Sequence, residues 1–165
     1  MIFQYQKTRK VIEALGDLMK IHIDRIAGYQ SALELSGAQP SQEEMIRNII
    51  KEGLTHKQEL AQQIQQMNGD AVRGAIIYGK MYQVWMDLKV KFAGGSRKSI
   101  IASCRYNEEI VLHVYNVATI MNMEAEPGIC SLLERHEAAL RRTLNLLKSC
   151  KETPHFMESS AIYFN

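Results

Sequence analysis

Apolar residues return at steps of three and four along four long stretches of this sequence, and no stretch sustains the alternation of a strand. In the first stretch, 7–36, Val11, Leu15, Leu18, His22, Ile26, Tyr29 and Leu33 share one face. In the second, 42–67, the stripe is Ile46, Ile50, Gly53, Lys57, Leu60, Ile64 and Met67, broadened by Ile49, Leu54 and Ala61. The third, 96–122, carries Ile101, Cys104, Glu108, Val111, Tyr115 and Ala118; the fourth, 127–150, carries Leu133, His136, Leu140, Thr143, Leu147 and Cys150. Start and stop signals agree with these limits. Gly37 and Pro40 end the first helix, Ser41 with Glu44 makes a capping box for the second, and Asn68-Gly69 closes it. Ser96 is an N-cap for the third, and Pro127 suits the first turn of the fourth. Gly53, costing about 1 kcal/mol against alanine in a helix interior, implies close packing at that point.

Helices of about 25 residues span ~37 Å and can bury such stripes only against one another. The pattern therefore predicts an all-α, four-helix bundle over residues 1–150. Short links make antiparallel hairpins of helices 1 and 2 and of helices 3 and 4. The long link between helices 2 and 3 permits a crossover along the bundle, as in ferritin-like topology. That link is expected to carry a short extra helix, 79–93, with Met81, Val84, Trp85, Leu88 and Phe92 on one side, before the Gly94-Gly95 break. Residues 151–165 read as an irregular tail. Its Ile162, Tyr163 and Phe164 are hard to bury in a closed bundle and predict a homo-oligomer, with a C2 dimer the default.

Composition narrows the function classes. A net charge of +2 offers no electrostatic case for nucleic acid or an anionic membrane. The N-terminus lacks the apolar run of a signal peptide, and no run approaches the roughly 20 residues of a membrane span. Cys104, Cys130 and Cys150, an odd number without a CxxC pair, fit reduced thiols in the cytoplasm. Cys104 and Cys150 fall on apolar stripes, where inert buried thiols are expected rather than nucleophiles.

Three stretches carry a family likeness: Asp24-Arg25-Ile26-Ala27-Gly28-Tyr29; Gly79-Lys80-Met81-Tyr82 through Trp85-Met86-Asp87-Leu88-Lys89; and Cys104 through Tyr115. In that order and spacing the chain resembles an uncharacterised bacterial family of ferritin-like four-helix bundles, domain of unknown function 2383, over roughly residues 12–150. The resemblance implies a ferritin-like bundle and brings no activity with it. The sequence departs from the family's pattern at Ala27, where an acid is common, at Asn107-Glu108-Glu109, where Gly-Glu-Asp is common, and at Leu144, in place of a histidine late in helix 4. If those family positions bound metal, part of the set is missing here.

Three constellations could carry chemistry. A di-metal carboxylate site needs inward glutamates and Glu-x-x-His pairs. The four helices contain no Glu-x-x-His; they offer Glu52 with His56 and Glu109 with His113 at i, i+4, and Glu134, His136 and Glu137 on helix 4. The first two pairs read as solvated helix faces. The second constellation is a polar cluster: His22, Glu108 and His136 lie on the apolar stripes of three helices. A buried carboxylate needs a donor, which a hydrogen-bonded network with Tyr29 or Tyr115 would supply; alternatively His22, Glu108 and His136 hold one Zn²⁺ or Fe²⁺. The third is the Trp85 segment, where Trp85 and Met81, with Met86 and Phe92, read as core or as the lining of a ligand or partner groove. No catalytic-triad order, phosphate loop or zinc-finger spacing is present. The sequence thus reads as a non-catalytic interaction or stress-associated bundle without a cofactor. The rival reading is a metal-binding protein or di-metal oxidase with a degenerate site, its cofactor Fe or Zn.

Overall fold

The computed structural model describes residues 2–35, 40–69, 97–121 and 127–150. They form four helices: α1 (Ile2–Leu35), α2 (Pro40–Gln66), α3 (Arg97–Met121) and α4 (Pro127–Ser149). Among the described residues there is no strand, and no helix is long and apolar enough to cross a membrane. Met81, Trp85 and the expected short helix lie outside the described residues, as does the tail with Ile162, Tyr163 and Phe164 on which the expectation of self-association rests.

Helix limits follow the local chemistry. Pro40 is the first residue of α2 rather than a residue before it, as suits a side chain with no N–H to satisfy in a first turn. Pro127 opens α4 in the same way. At the end of α2, Asn68 adopts a left-handed φ of 55°. The Gly69 N–H then donates to the Ile64 carbonyl (2.9 Å) and the Asn68 N–H to that of Gln65 (3.0 Å), closing the last carbonyls in a Schellman cap.

α1 packs on α2 and α3, and α4 packs on α3 and α2. Each adjacent pair is antiparallel, since contacts that climb one helix descend the other. Along α1, His22 meets Tyr115 and Tyr29 meets Glu108 of α3, while Arg25 meets Glu52 of α2 and Ile12 lies beside Gly69, just past its end. Between α2 and α4, Glu59 meets His136, Glu52 meets Thr143 and Met45 meets Cys150. Between α3 and α4, Tyr115 meets His136 and Glu109 meets Lys148. It follows that α2 and α3 are parallel to each other on one diagonal, and α1 and α4 on the other.

Two apolar clusters hold the bundle. One contains Leu15, Leu18, Leu60, Ile64, Val111, Leu133 and Leu140; the other contains Tyr29, Ile46, Ile49, Ile101, Cys104 and Leu147. A fully buried Leu or Ile contributes about 1.5–3 kcal/mol relative to exposure, so these clusters outweigh the caps. Gly53 lets α2 approach α1: a Cβ there would lie 3.0 Å from Ile26 Cγ1 and 3.5 Å from Arg25 Nη1. Between the clusters the interior is polar.

Candidate metal centre

All four helices feed this polar zone. His22, Arg25, His56, Asn107, Glu108, His136 and Thr143 are buried, with His22, Glu108 and His136 at 0% exposure. The zone has two layers, about one helical turn apart along α1 (His22 to Arg25) and α2 (His56 to Glu52).

The first layer holds three histidines and a tyrosine. His136 Nε2 lies 2.7 Å from Glu59 Oε2. A carboxylate only accepts, so Nε2 carries the proton and Nδ1 of the neutral ring is an acceptor. The Tyr115 hydroxyl, 3.0 Å away, therefore donates to His136 Nδ1 and accepts from His22 Nε2–H at 2.7 Å. This fixes the tautomer of His22 and leaves its Nδ1 a bare lone pair. That atom is buried without a hydrogen-bond partner, and so is Nδ1 of His56. A buried polar atom without a partner costs about 1–3 kcal/mol.

The rings are close together. His56 and His136 stack at 3.9 Å between centroids, 19° from parallel, and the edge of His22 meets His56 at 5.1 Å. One nitrogen from each of the three lies within 4.8 Å of the other two. In a tetrahedral zinc site the nitrogens stand about 3.3 Å apart, and His136 Nδ1 could ligate an ion only by giving up its hydrogen bond from Tyr115. Burial keeps all three imidazoles neutral. It holds His22 well below the usual range, helped by the Arg25 charge and the other two rings. His56 is pushed down to about 3 by burial, then by His136 and Arg25. Burial also lowers His136, against the pull of Glu59. Glu59 itself is held below the usual carboxylate range: burial works against this, but hydrogen bonds from Arg135 and His136 prevail.

The second layer is ionic. Arg25 donates through Nε to Glu108 Oε1 (2.7 Å) and through Nη2 to Glu108 Oε2 (3.2 Å) and Glu52 Oε1 (2.9 Å). The Tyr29 hydroxyl donates to Glu108 Oε1 (2.8 Å), and the Thr143 hydroxyl stands 3.4 Å from Glu52 Oε1. Burial and the Glu108 charge push the Tyr29 hydroxyl well up, so it stays a donor. Burial opposes the Arg25 charge, but Glu108 more than offsets this and keeps the guanidinium protonated.

Of the residues singled out from sequence, His22, His136 and Tyr115 come together in the first layer. Glu108 joins Tyr29 in the second, away from hydrogen-bond contact with the histidines; its principal partner is Arg25, which the sequence reading did not assign a role. His56, read as solvated, is buried at the centre. The stripe of α2 runs through Ile46, Ile49, Gly53, His56, Leu60 and Ile64, one residue off from Ile50 and Lys57. Glu109 and His113 are exposed as expected, and Leu144 is buried. Glu59 was also missed, because it flanks the stripe. The chain does contain one Glu-x-x-His, from Glu152 to His155, in the tail outside the described residues. Burial pushes the Cys104 thiol up to about 12, which makes it inert as expected. Cys150 is half-buried, its Sγ 3.7 Å from Met45 Sδ.

A family model described as Domain of unknown function (DUF2383) matches residues 10–120. The chain belongs to that family. The DUF2383 match takes in α2, most of α1 and nearly all of α3, and with them His22, Arg25, Glu52, His56, Glu108 and Tyr115. It stops before α4, which supplies His136 and Thr143. Searches of curated proteins and of solved structures each found no match.

Proposed function

We propose that this DUF2383 protein is a metal-binding bundle that holds a single transition-metal ion between His22, His56 and His136. The observation that carries the reading is the pair of buried Nδ1 atoms, on His22 and His56, without partners beside a third imidazole. Neutral imidazoles with free lone pairs are the ligand form that Zn²⁺, Co²⁺ and Fe²⁺ require. Glu59 on His136 supports it further, since a carboxylate on the far nitrogen of a ligating histidine orients the ring and raises its basicity. With three protein ligands, a fourth position is left for water or a small ligand.

The reading also takes the topology as ferritin-like. It is supported by the parallel run of α2 and α3, which puts the end of α2 and the start of α3 at opposite ends of the bundle. The non-catalytic interaction role read from the sequence gains no observation of its own. The test is uptake of Co²⁺ by protein purified without chelator. Wild type is expected to bind one equivalent with the visible absorption of a nitrogen-rich site, and His56→Ala to bind none while keeping its helix content. Wild type without Co²⁺ uptake, or His56→Ala with undiminished uptake, would overturn the reading.

A further inference from the structure

We infer that the Arg25 guanidinium occupies a second cation position in this core, which makes the metal centre a one-ion site. Without the guanidinium, the second layer is a donor set made entirely of oxygen. It consists of the Glu108 carboxylate from α3, Glu52 from α2, the Tyr29 hydroxyl from α1 and the Thr143 hydroxyl from α4. Two carboxylates and two hydroxyls converging from four helices make a hard-cation site, of the kind that suits Mn²⁺, Mg²⁺ or Ca²⁺. Arg25 sits at its centre, 1% exposed, and bridges the two acids as a divalent ion would.

What Arg25 supplies here is charge rather than a full set of hydrogen bonds. Its Nη1 is buried and finds no partner. That nitrogen lies beside the Gly53 backbone, where a Cβ would stand 3.5 Å from it, an ordinary contact. The two layers therefore differ in kind. One is a neutral nitrogen set open to a borderline metal; the other is an oxygen set whose cation is covalently part of the chain. The centre takes one metal ion and has no second one with which to share a substrate or an electron pair.

The inference rests on the proposed histidine site for the first ion, but its own test reads the oxygen layer separately. Wild type and Arg25→Ala are titrated with Co²⁺, followed optically, and with Mn²⁺, followed by electron paramagnetic resonance. Wild type is expected to take no Mn²⁺; Arg25→Ala is expected to gain one equivalent, displaceable by millimolar guanidinium ion. A folded Arg25→Ala that binds no Mn²⁺, or a wild type that binds it, would overturn the inference. If Arg25→Ala does not fold alone, recovery of its helical circular dichroism with Mn²⁺ supports the inference, and failure to recover with Mn²⁺ refutes it. Loss of the histidine reading would appear instead as no Co²⁺ uptake in the wild type, with the Mn²⁺ arm unaffected, since an oxygen site opened in Arg25→Ala would accept Co²⁺ as well.

Discussion

Glu108→Gln tests the energetics of the core most directly. The carboxylate is fully buried and accepts from Arg25 Nε, Arg25 Nη2 and the Tyr29 hydroxyl. Glutamine keeps the shape and one acceptor oxygen, but turns an NH₂ group toward a guanidinium that only donates. It also removes the charge that compensates Arg25, leaving Glu52, with 27% of its side chain exposed, as the remaining counter-ion. Removing one partner of a buried pair costs about 3–5 kcal/mol. For a domain of this size that lowers the melting temperature by about 6–20 °C. The assay is urea unfolding followed by circular dichroism at 222 nm. Glu109→Gln is the control: it breaks an exposed pair with Lys148 that is worth about 0–1 kcal/mol. A Glu108→Gln protein within about 1 kcal/mol of wild type would refute the argument that this pair is electrostatically closed to water.

Tyr115→Phe is expected to cost about 1–3 kcal/mol in the same assay, because it strands His22 Nε2–H and leaves His136 Nδ1 without its donor; an unchanged midpoint would mean water replaces the hydroxyl. Stability is expected to fall on acidification from about pH 7 to about pH 5. Each imidazole titrates lower in the fold than its ordinary 6.5, so its contribution is complete above that value and drains as the unfolded chain takes up protons. The groups facing the rings are Arg25 from α1, Glu52 and Glu59 from α2, Tyr115 from α3 and Arg135 from α4; Glu59, itself lowered, loses its contribution only at more acidic pH. A flat profile across that window, measured by urea midpoints, would contradict the burial of the three rings. Finally, Cys104 is expected to resist a thiol reagent at mildly alkaline pH until the protein unfolds; mass-mapped labelling of Cys104 in the native protein would count against its burial.

The helices were legible because period is a property of the chain itself. Every stripe residue named for α3 is buried, and for α4 every one but the half-buried Cys150. α2 was misphased by one residue because Ile49 and Ile50 are both apolar and either can start a stripe. The phase through Ile50 puts Lys57 inward, and lysine is almost never fully buried, whereas its neighbour His56 can be. The alternative phase, through Ile49 and His56, brings a third histidine into the cluster. Arg25 and Glu59 were harder to find. Both flank their stripes and reach inward along flexible stems, so position does not mark them. The need for a counter-charge to Glu108 was readable, but which cation met it depended on how four helices are clocked against one another.

The antiparallel pairing has a consequence for how the chain finds this arrangement. Each hairpin, α1 with α2 and α3 with α4, closes over a short sequence separation and can zip early; joining the two is the slow, non-local event. Most of the interior polar bonds described above cross between hairpins: His22 to Tyr115, Arg25 and Tyr29 to Glu108, Glu52 to Thr143, and Glu59 to His136. Greasy surfaces tolerate a slip of one helical turn, about 5.4 Å. These bonds do not, since the same slip would entomb Arg25 and Glu108 apart from each other. The polar interior therefore works as a key cut across two halves. A misaligned pairing of the halves leaves buried charges unpaired and is therefore less stable than the native register.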